Sequence, residues 1–185
     1  MPASPSVQNY HIGKGVVTFK EDGAADFVDL GNAPSFVWTP KVEKKEHFSS
    51  REGVKVKDFT AITQVGATIK LTLDEINGPN LAIFTLGELG APDVDGSVTV
   101  SAFKKLEVAG IIMVEGTNDI GQHVDFTGRI SVNPTGDFSF ITDADDFSKL
   151  EIEAEVQKDD TDGTFGVFTI HEAVVGGATK ETRHG

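Results

Sequence analysis

The chain has 185 residues and a formal net charge of -13, a size that suits one domain able to bury roughly two-thirds of its unfolded surface. It contains no cysteine, which excludes disulfides, thiolate metal sites and a cysteine nucleophile. An acidic balance of this strength repels a phosphate backbone and argues against tight nucleic-acid binding.

The opening MPASPSVQNYHIGKG lacks the apolar stretch of a signal peptide, and no later segment approaches a membrane span, so neither export nor membrane insertion is expected. Residues 1–13 read as an N-terminal arm, 14–171 as a single β domain, and 172–185, ending in GGATKETRHG, as a polar tail. Within the domain, period-two alternation dominates. From Val65 to Asp74 the apolar residues Val65, Ala67, Ile69, Leu71 and Leu73 share one face, and Gly66, Thr68, Lys70, Thr72 and Asp74 the other. From Leu150 to Gln157, Leu150, Ile152, Ala154 and Val156 alternate with Glu151, Glu153, Glu155 and Gln157. Such alternation is expected of antiparallel sheets with one wet face.

Further strands are expected at Gly15–Lys20, Phe27–Leu30, Ser35–Thr39, Val54–Thr63, Ser97–Phe103, Leu106–Glu115, His123–Val132, Asp137–Ile141 and Gly163–His171. Turn residues rich in Gly, Asn and Asp separate them. A long charged loop is expected from Pro40 to Gly53, where only Val42 and Phe48 are of the buried type. One short helix is expected over about residues 78–87, capped by Asn77 or Gly78, with Pro79 in its first turn and Gly87 as its stop. The outcome is an all-β sandwich or barrel with one helix.

Charge is unevenly placed. Lys41, Lys44, Lys45, Arg51, Lys55 and Lys57 outnumber the acids between them, whereas Glu115–Asp162 holds thirteen acidic residues against Arg129, Lys149 and Lys158. A chain with opposite charges at separate places can attract copies of itself. The thirteen Phe, with one Trp and one Tyr, fit a core better than an exposed stacking platform for sugars.

The catalytic search comes up empty. His11, His47, His123, His171 and His184 show no metal-ligand spacing, and the acidic clusters Asp143–Asp146 and Asp159–Asp162 lack the spaced ligands of a calcium loop. Glu151, Glu153 and Glu155 look like a solvent-lined wall rather than an acid–base pair in a cleft. No phosphate loop and no GxSxG elbow is present. No enzyme activity, metal or cofactor is expected.

From Tyr10 to Gly87 the chain resembles the N-terminal half of siphophage major tail tube proteins, those of bacteriophages with long non-contractile tails. The likeness runs through HIGKGVVTFK, GAADFVDLGNAPSFVWTP, VEKKEHFSSREGVKVKD, VGATIKLTLDEI and NGPNLAIFTLG, and less sharply through VNPTGDFSFIT, LEIEAEVQKDD and TFGVFTI. The resemblance implies two packed β-sheets flanked by a helix, in a virion protein made in the host cytoplasm. It also implies hexameric rings stacked into a tube that conducts DNA without binding it specifically. Tape-measure, tail-tip initiator and tail terminator proteins are the other implied partners. In this family the long loop reaches the neighbouring ring, so Lys41, Lys44, Lys45, His47, Phe48 and Arg51 become candidate contact residues. Glu151, Glu153 and Glu155, or Thr68, Lys70 and Thr72, become candidates for lining the lumen. Two alternatives stand beside this expectation: the tube subunit of a phage-derived contractile or secretion machine, and a soluble β-sandwich ligand-binding module. A hydrolase built on acidic residues is a weaker rival, because nothing in the spacing suggests a cleft.

Overall fold

The computed structural model describes residues 11, 13–51, 53–117, 122–133, 135–139, 141 and 147–171. The expected N-terminal arm before His11, the tail 172–185, Asp143–Asp146 and His184 lie outside the described residues.

The fold is mainly β, with one short helix. Eight strands form one antiparallel sheet: β1 (Gly15–Glu21), β2 (Val28–Asp29), β3 (Ser35–Ser49), β4 (Val56–Leu73), β7 (Ala109–Gly116), β8 (Val124–Asn133), β9 (Leu150–Gln157) and β10 (Val167–Ile170). Their order is β2-β1-β7-β8-β9-β4-β3, with β10 also on β8. A second, two-stranded sheet pairs β5 (Glu88–Leu89) with β6 (Val100–Ser101) and follows the helix α1 (Gly78–Phe84).

The large sheet curls over so that its halves face each other across one core, but it does not close into a barrel: β2 and β3 end the order without pairing. Val17 and Phe19 of β1, Ile112 of β7, and Phe126, Ile130 and Val132 of β8 belong to the same core as Ala67–Leu73 of β4 and Leu150–Val156 of β9. Phe36 of β3 meets Phe126 with ring centroids 5.8 Å apart, and Trp38 meets Phe168 of β10 edge-on at 5.3 Å. Edge-on and tilted aromatic pairs of this kind add about 0.5–1.5 kcal/mol beyond area burial.

The curl depends on β8, which has two neighbours on one side. Val124–Thr127 pair with β10, and Arg129–Asn133 pair with β9. Gly128 lies at the handover, and the Phe126 ring lies over it and over Gly166. Gly166 has φ 95°, and a Cβ there would sit 2.6 Å from that ring, so both backbone conformation and space require glycine.

Local chemistry explains the helix. Asn77 accepts the Asn80 amide at 2.9 Å as the N-cap, and Pro79 occupies the first turn. Asn80 is fully buried and donates from Nδ2 to the carbonyls of Leu30 and Glu75, both at 2.9 Å, tying the helix to the end of β2 and to the chain leaving β4. The expected stop at Gly87 is corrected. The left-handed residue is Leu86 (φ 47°), whose side chain is drawn into the core, while the Gly87 amide reaches back to the Ala82 carbonyl at 2.7 Å. Gly87 is required by crowding, since a Cβ there would meet Thr85 Oγ1 at 2.7 Å.

Other expectations are corrected too. Val54–Thr63 and Val65–Asp74 are one continuous strand, β4. The segment Pro40–Gly53, expected as a loop, is paired as far as Ser49, because the β3 backbone follows β4 through two register shifts, at Glu43/Lys44 and His47/Phe48. A shift of this kind absorbs an unpaired residue without ending the ladder. The expected strand Ser97–Phe103 shrinks to Val100–Ser101, and Asp137–Ile141 to a single bridge from Phe138 to Leu150.

Candidate assembly surfaces

Two features of the fold collect the residues singled out from the sequence. The first is an arm. β4 pairs with β9 only from Ala67 to Leu73, so among the described residues Val56–Gly66 have β3 as their sole strand neighbour. From the Val42–Val65 pair outward, the hairpin is a two-stranded ribbon beyond the sheet. Its β3 side spans eight residues, on the order of 25 Å at the usual rise per strand residue.

Val42, Phe48, Val54, Val56, Phe59, Ile62 and Val65 are all exposed along this arm, Phe59 at 64% and Ile62 at 62%. An isolated two-stranded hairpin is at best marginally stable in water, and a cluster of exposed apolar side chains of this size marks an interaction surface. All six contact candidates (Lys41, Lys44, Lys45, His47, Phe48 and Arg51) lie on the arm or at its base and are exposed. His47 Nδ1 lies 2.6 Å from Asp58 Oδ1, and Lys57 pairs with Glu46 across the ribbon. Lys44, Lys45, Arg51 and Lys55 have no ion-pair partner among the described residues.

The second feature is a polar wall. Register places Thr68 opposite Glu155, Lys70 opposite Glu153 and Thr72 opposite Glu151. The two candidate lining sets, alternatives in the sequence, therefore form one outward face of β4 and β9. The face extends to Ser35, Val37 and Thr39 of β3, and to Ser131 and Asn133 of β8. Lys70 is ion-paired with Glu153, which also accepts from Thr135 Oγ1 at 3.1 Å. The hydrogen bond and charge of Glu153 raise the Lys70 pKa, and the hydrogen bonds from Lys70 and then Thr135 lower that of Glu153.

Farther along, the Arg129 guanidinium reaches Asp22 and, at 3.2 Å, Gln157 Oε1, while Glu107 accepts from Ser131 Oγ at 2.7 Å. The hydrogen bond to Asp22 raises the Arg129 pKa. Sequence reasoning missed Arg129, Asp22 and Glu107 as parts of this face, because they are joined only by strand order. It also missed the exposed apolar residues of the arm. Phe59, Ile62 and Val65 were read as strand residues, and nothing local marks them as lying beyond the sheet.

Other expected motifs are satisfied locally. Asp159 and Asp162 accept the amides of Thr161 and Thr164 at 2.7 and 2.9 Å, as turn residues do. At the far end of β8, Asp125 accepts the Gly116 amide at 2.9 Å and lies 2.6 Å from His171 Nε2. The Gly116 amide and then His171 lower its pKa. No group of three or more His, Cys, Asp or Glu among the described residues is arranged to hold a metal ion.

The chain is thus a curled, open β sandwich that carries a free apolar arm and a polar outer wall. It belongs to the family described as Protein of unknown function UCP028589, whose model matches residues 10–118. No curated protein matches it. Among solved structures it is similar to a chain in the cryo-EM structure of the anti-feeding prophage (AFP) baseplate, 6-fold symmetrised. The sequence identity is 9%, the match covers 91% of this chain and 97% of that chain, and the TM-score is 0.48.

Proposed function

We propose that the chain is a non-enzymatic structural subunit that assembles with copies of itself, as the tail tube subunit of a long-tailed bacteriophage, in hexameric rings stacked around a conduit for DNA. The observation that carries this reading is the arm: a ribbon with seven exposed large apolar side chains and, among the described residues, no partner strand beyond its own two. A surface of that kind is stabilised by burial against another copy. The sequence resemblance over Tyr10–Gly87 supplies the particular assembly.

In this reading Lys41, Lys44, Lys45, His47, Phe48 and Arg51 work at contacts between subunits, and the free edge of β3 pairs between subunits rather than staying bare. The wall of Thr68, Lys70, Thr72, Glu151, Glu153 and Glu155 faces the lumen. There, Lys70 is already held by Glu153, which leaves Glu151 and Glu155 to repel phosphates and let DNA slide. Tape-measure, tail-tip initiator and tail terminator proteins would control length and polarity, and the site of action is the virion tail.

Negative-stain electron microscopy of the purified chain, with its mass measured by light scattering, tests the proposal. Rings or hollow filaments are expected. A chain that stays monomeric at high concentration and in the presence of tail-tip seeds would sink it and favour a soluble binding module.

A further inference from the structure

We infer that the arm of one copy docks, in the groove between α1, β1 and β5 of a second copy, by its apolar side chains with its unpaired cations at the rim. The inference rests on the assembly proposed above and names its receiving surface.

Three recesses among the described residues are separated by their chemistry. The groove has a volume of about 220 Å³ and walls that include Phe19, Val28, Pro79, Ala82, Ile83 and Leu89. Beside it Phe27, Val28 and Leu89 are each more than 40% exposed, so the apolar surface continues out of the groove onto the protein face. Its charged lining residues are Glu21, Asp26 and Lys105, and Glu21 and Lys105 neutralise each other as an ion pair. Asp26 has no such partner among the described residues, nor does Glu88, next to Leu89 on β5. Lys20 is turned onto the Phe27 ring, 5.9 Å from its centroid. The groove is therefore apolar, with the unpaired Asp26 carboxylate in its lining.

The arm is its complement, with Phe48, Val56, Phe59 and Ile62 exposed and Lys44, Lys45, Arg51 and Lys55 unpaired among the described residues. Apolar contact inside with opposite charge at the rim is the usual anatomy of a specific protein interface.

A larger recess of about 320 Å³ lies between β1 and β3, with Phe36, Trp38, Phe126 and Phe168 in its walls. Its walls hold His11 and Lys14 but no carboxylate, so it offers a basic arm no anion. The third recess, about 160 Å³, has Asp159 and Asp162, but Arg129 stands among them, and Ile111 and Val167 are its only large apolar walls. Charge and polarity together select the groove. Arm-to-groove contact is heterologous, since different surfaces meet, and so it propagates from copy to copy rather than closing a two-fold pair.

The absence of cysteine makes disulfide trapping a clean test. Copies of the full chain carrying Phe48→Cys are mixed with differently tagged copies carrying Leu89→Cys in the groove, or Ala33→Cys in the larger recess, and oxidised at the concentration where light scattering reports assemblies. Val28→Cys is a second groove position in case Leu89→Cys does not fold. A disulfide needs Cβ atoms about 3.5–4.5 Å apart, so trapping reports proximity.

Selective joining of Phe48→Cys to Leu89→Cys or Val28→Cys copies is expected, in at least tenfold excess over joining to Ala33→Cys. Assemblies that trap only at Ala33→Cys, or at none of these positions, would overturn the groove while leaving self-assembly standing. A chain that forms no assemblies at any concentration, or with tail-tip seeds, would overturn both readings together.

Discussion

The two halves of β4 are similarly rich in apolar residues and have opposite surroundings. From Ala67 to Leu73, every second side chain is packed between the faces of the curled sheet, and Ile69, Leu71 and Leu73 are at most 3% exposed. From Val56 to Val65 the strand is also rich in apolar side chains, yet Val56, Phe59, Ile62 and Val65 are all more than half exposed. The difference lies in the neighbours: β9 flanks the inner half and stops at the Ala67–Val156 pair. Apolar residues specify that a surface is to be buried. The strand order decides whether this chain or another molecule buries it.

Removing side-chain bulk from the inner half should produce the largest stability loss. Ile69 is 1% exposed and lies opposite Trp38 and Ala154 in the ladder. Ile69→Ala should cost about 2–5 kcal/mol in urea unfolding of the isolated chain, from lost transfer energy plus an uncollapsed cavity. A loss under about 1 kcal/mol would mean that the inner half is no better packed than the arm.

A smaller effect is expected at the joint that fastens the helix to the sheet. Asn80→Ala leaves the carbonyls of Leu30 and Glu75 without their donor, and an abandoned buried acceptor costs about 1–3 kcal/mol. The same urea titration measures it. A neutral result would show that α1 docks by apolar contact alone.

These two sites also mark how far the sequence could be read. Ile69 was legible, because period-two alternation assigns a residue to a face from its own neighbours. The cap at Asn77 was equally local, and so was the division of β9 into Leu150, Ile152, Ala154 and Val156 against three glutamates. Asn80 was not legible, since its partners lie 50 and 5 residues away in sequence and the nearer contact exists only once the helix has turned. The wall was half legible. Alternation grouped Thr68 with Lys70 and Glu151 with Glu153, but only the β4–β9 register brings the groups together and gives Lys70 a partner. The β3 side of the arm, Pro40–Gly53, was misread as a loop because its charge density outweighed its alternation, whereas its β4 side was read as a strand.

The pH response should separate the body of the fold from its wet surfaces. Asp125 is held below the usual carboxylate range, first by the Gly116 amide and then by His171. Its stabilising contribution is therefore fully present above the unfolded aspartate value of about 3.9. It is lost as pH falls through the lower folded value, because protonation then takes place in the unfolded chain first. Asp125→Asn should lower stability at neutral pH and flatten the decline below about pH 4 in acid titrations followed by circular dichroism. An unchanged acid limb would remove the Asp125 contact from the account of how β10 is held on β8.

The smallest effect on the isolated chain is expected in the arm, and it sharpens the comparison most. Phe59 is 64% exposed and faces His47 across the ribbon, so Phe59→Ser removes little that folding buries. Surface changes away from packed or hydrogen-bonded features stay within about 0.5 kcal/mol, and urea unfolding of monomeric variant and parent should nearly superimpose. The same substitution takes a large apolar side chain from the surface assigned to the partner copy, so assembly measured by light scattering should weaken at least tenfold. Stability lost along with assembly would mean that the arm is packed by its own chain and that the two halves of β4 differ only in degree. Assembly lost alone would place the missing neighbour of the outer half on another molecule.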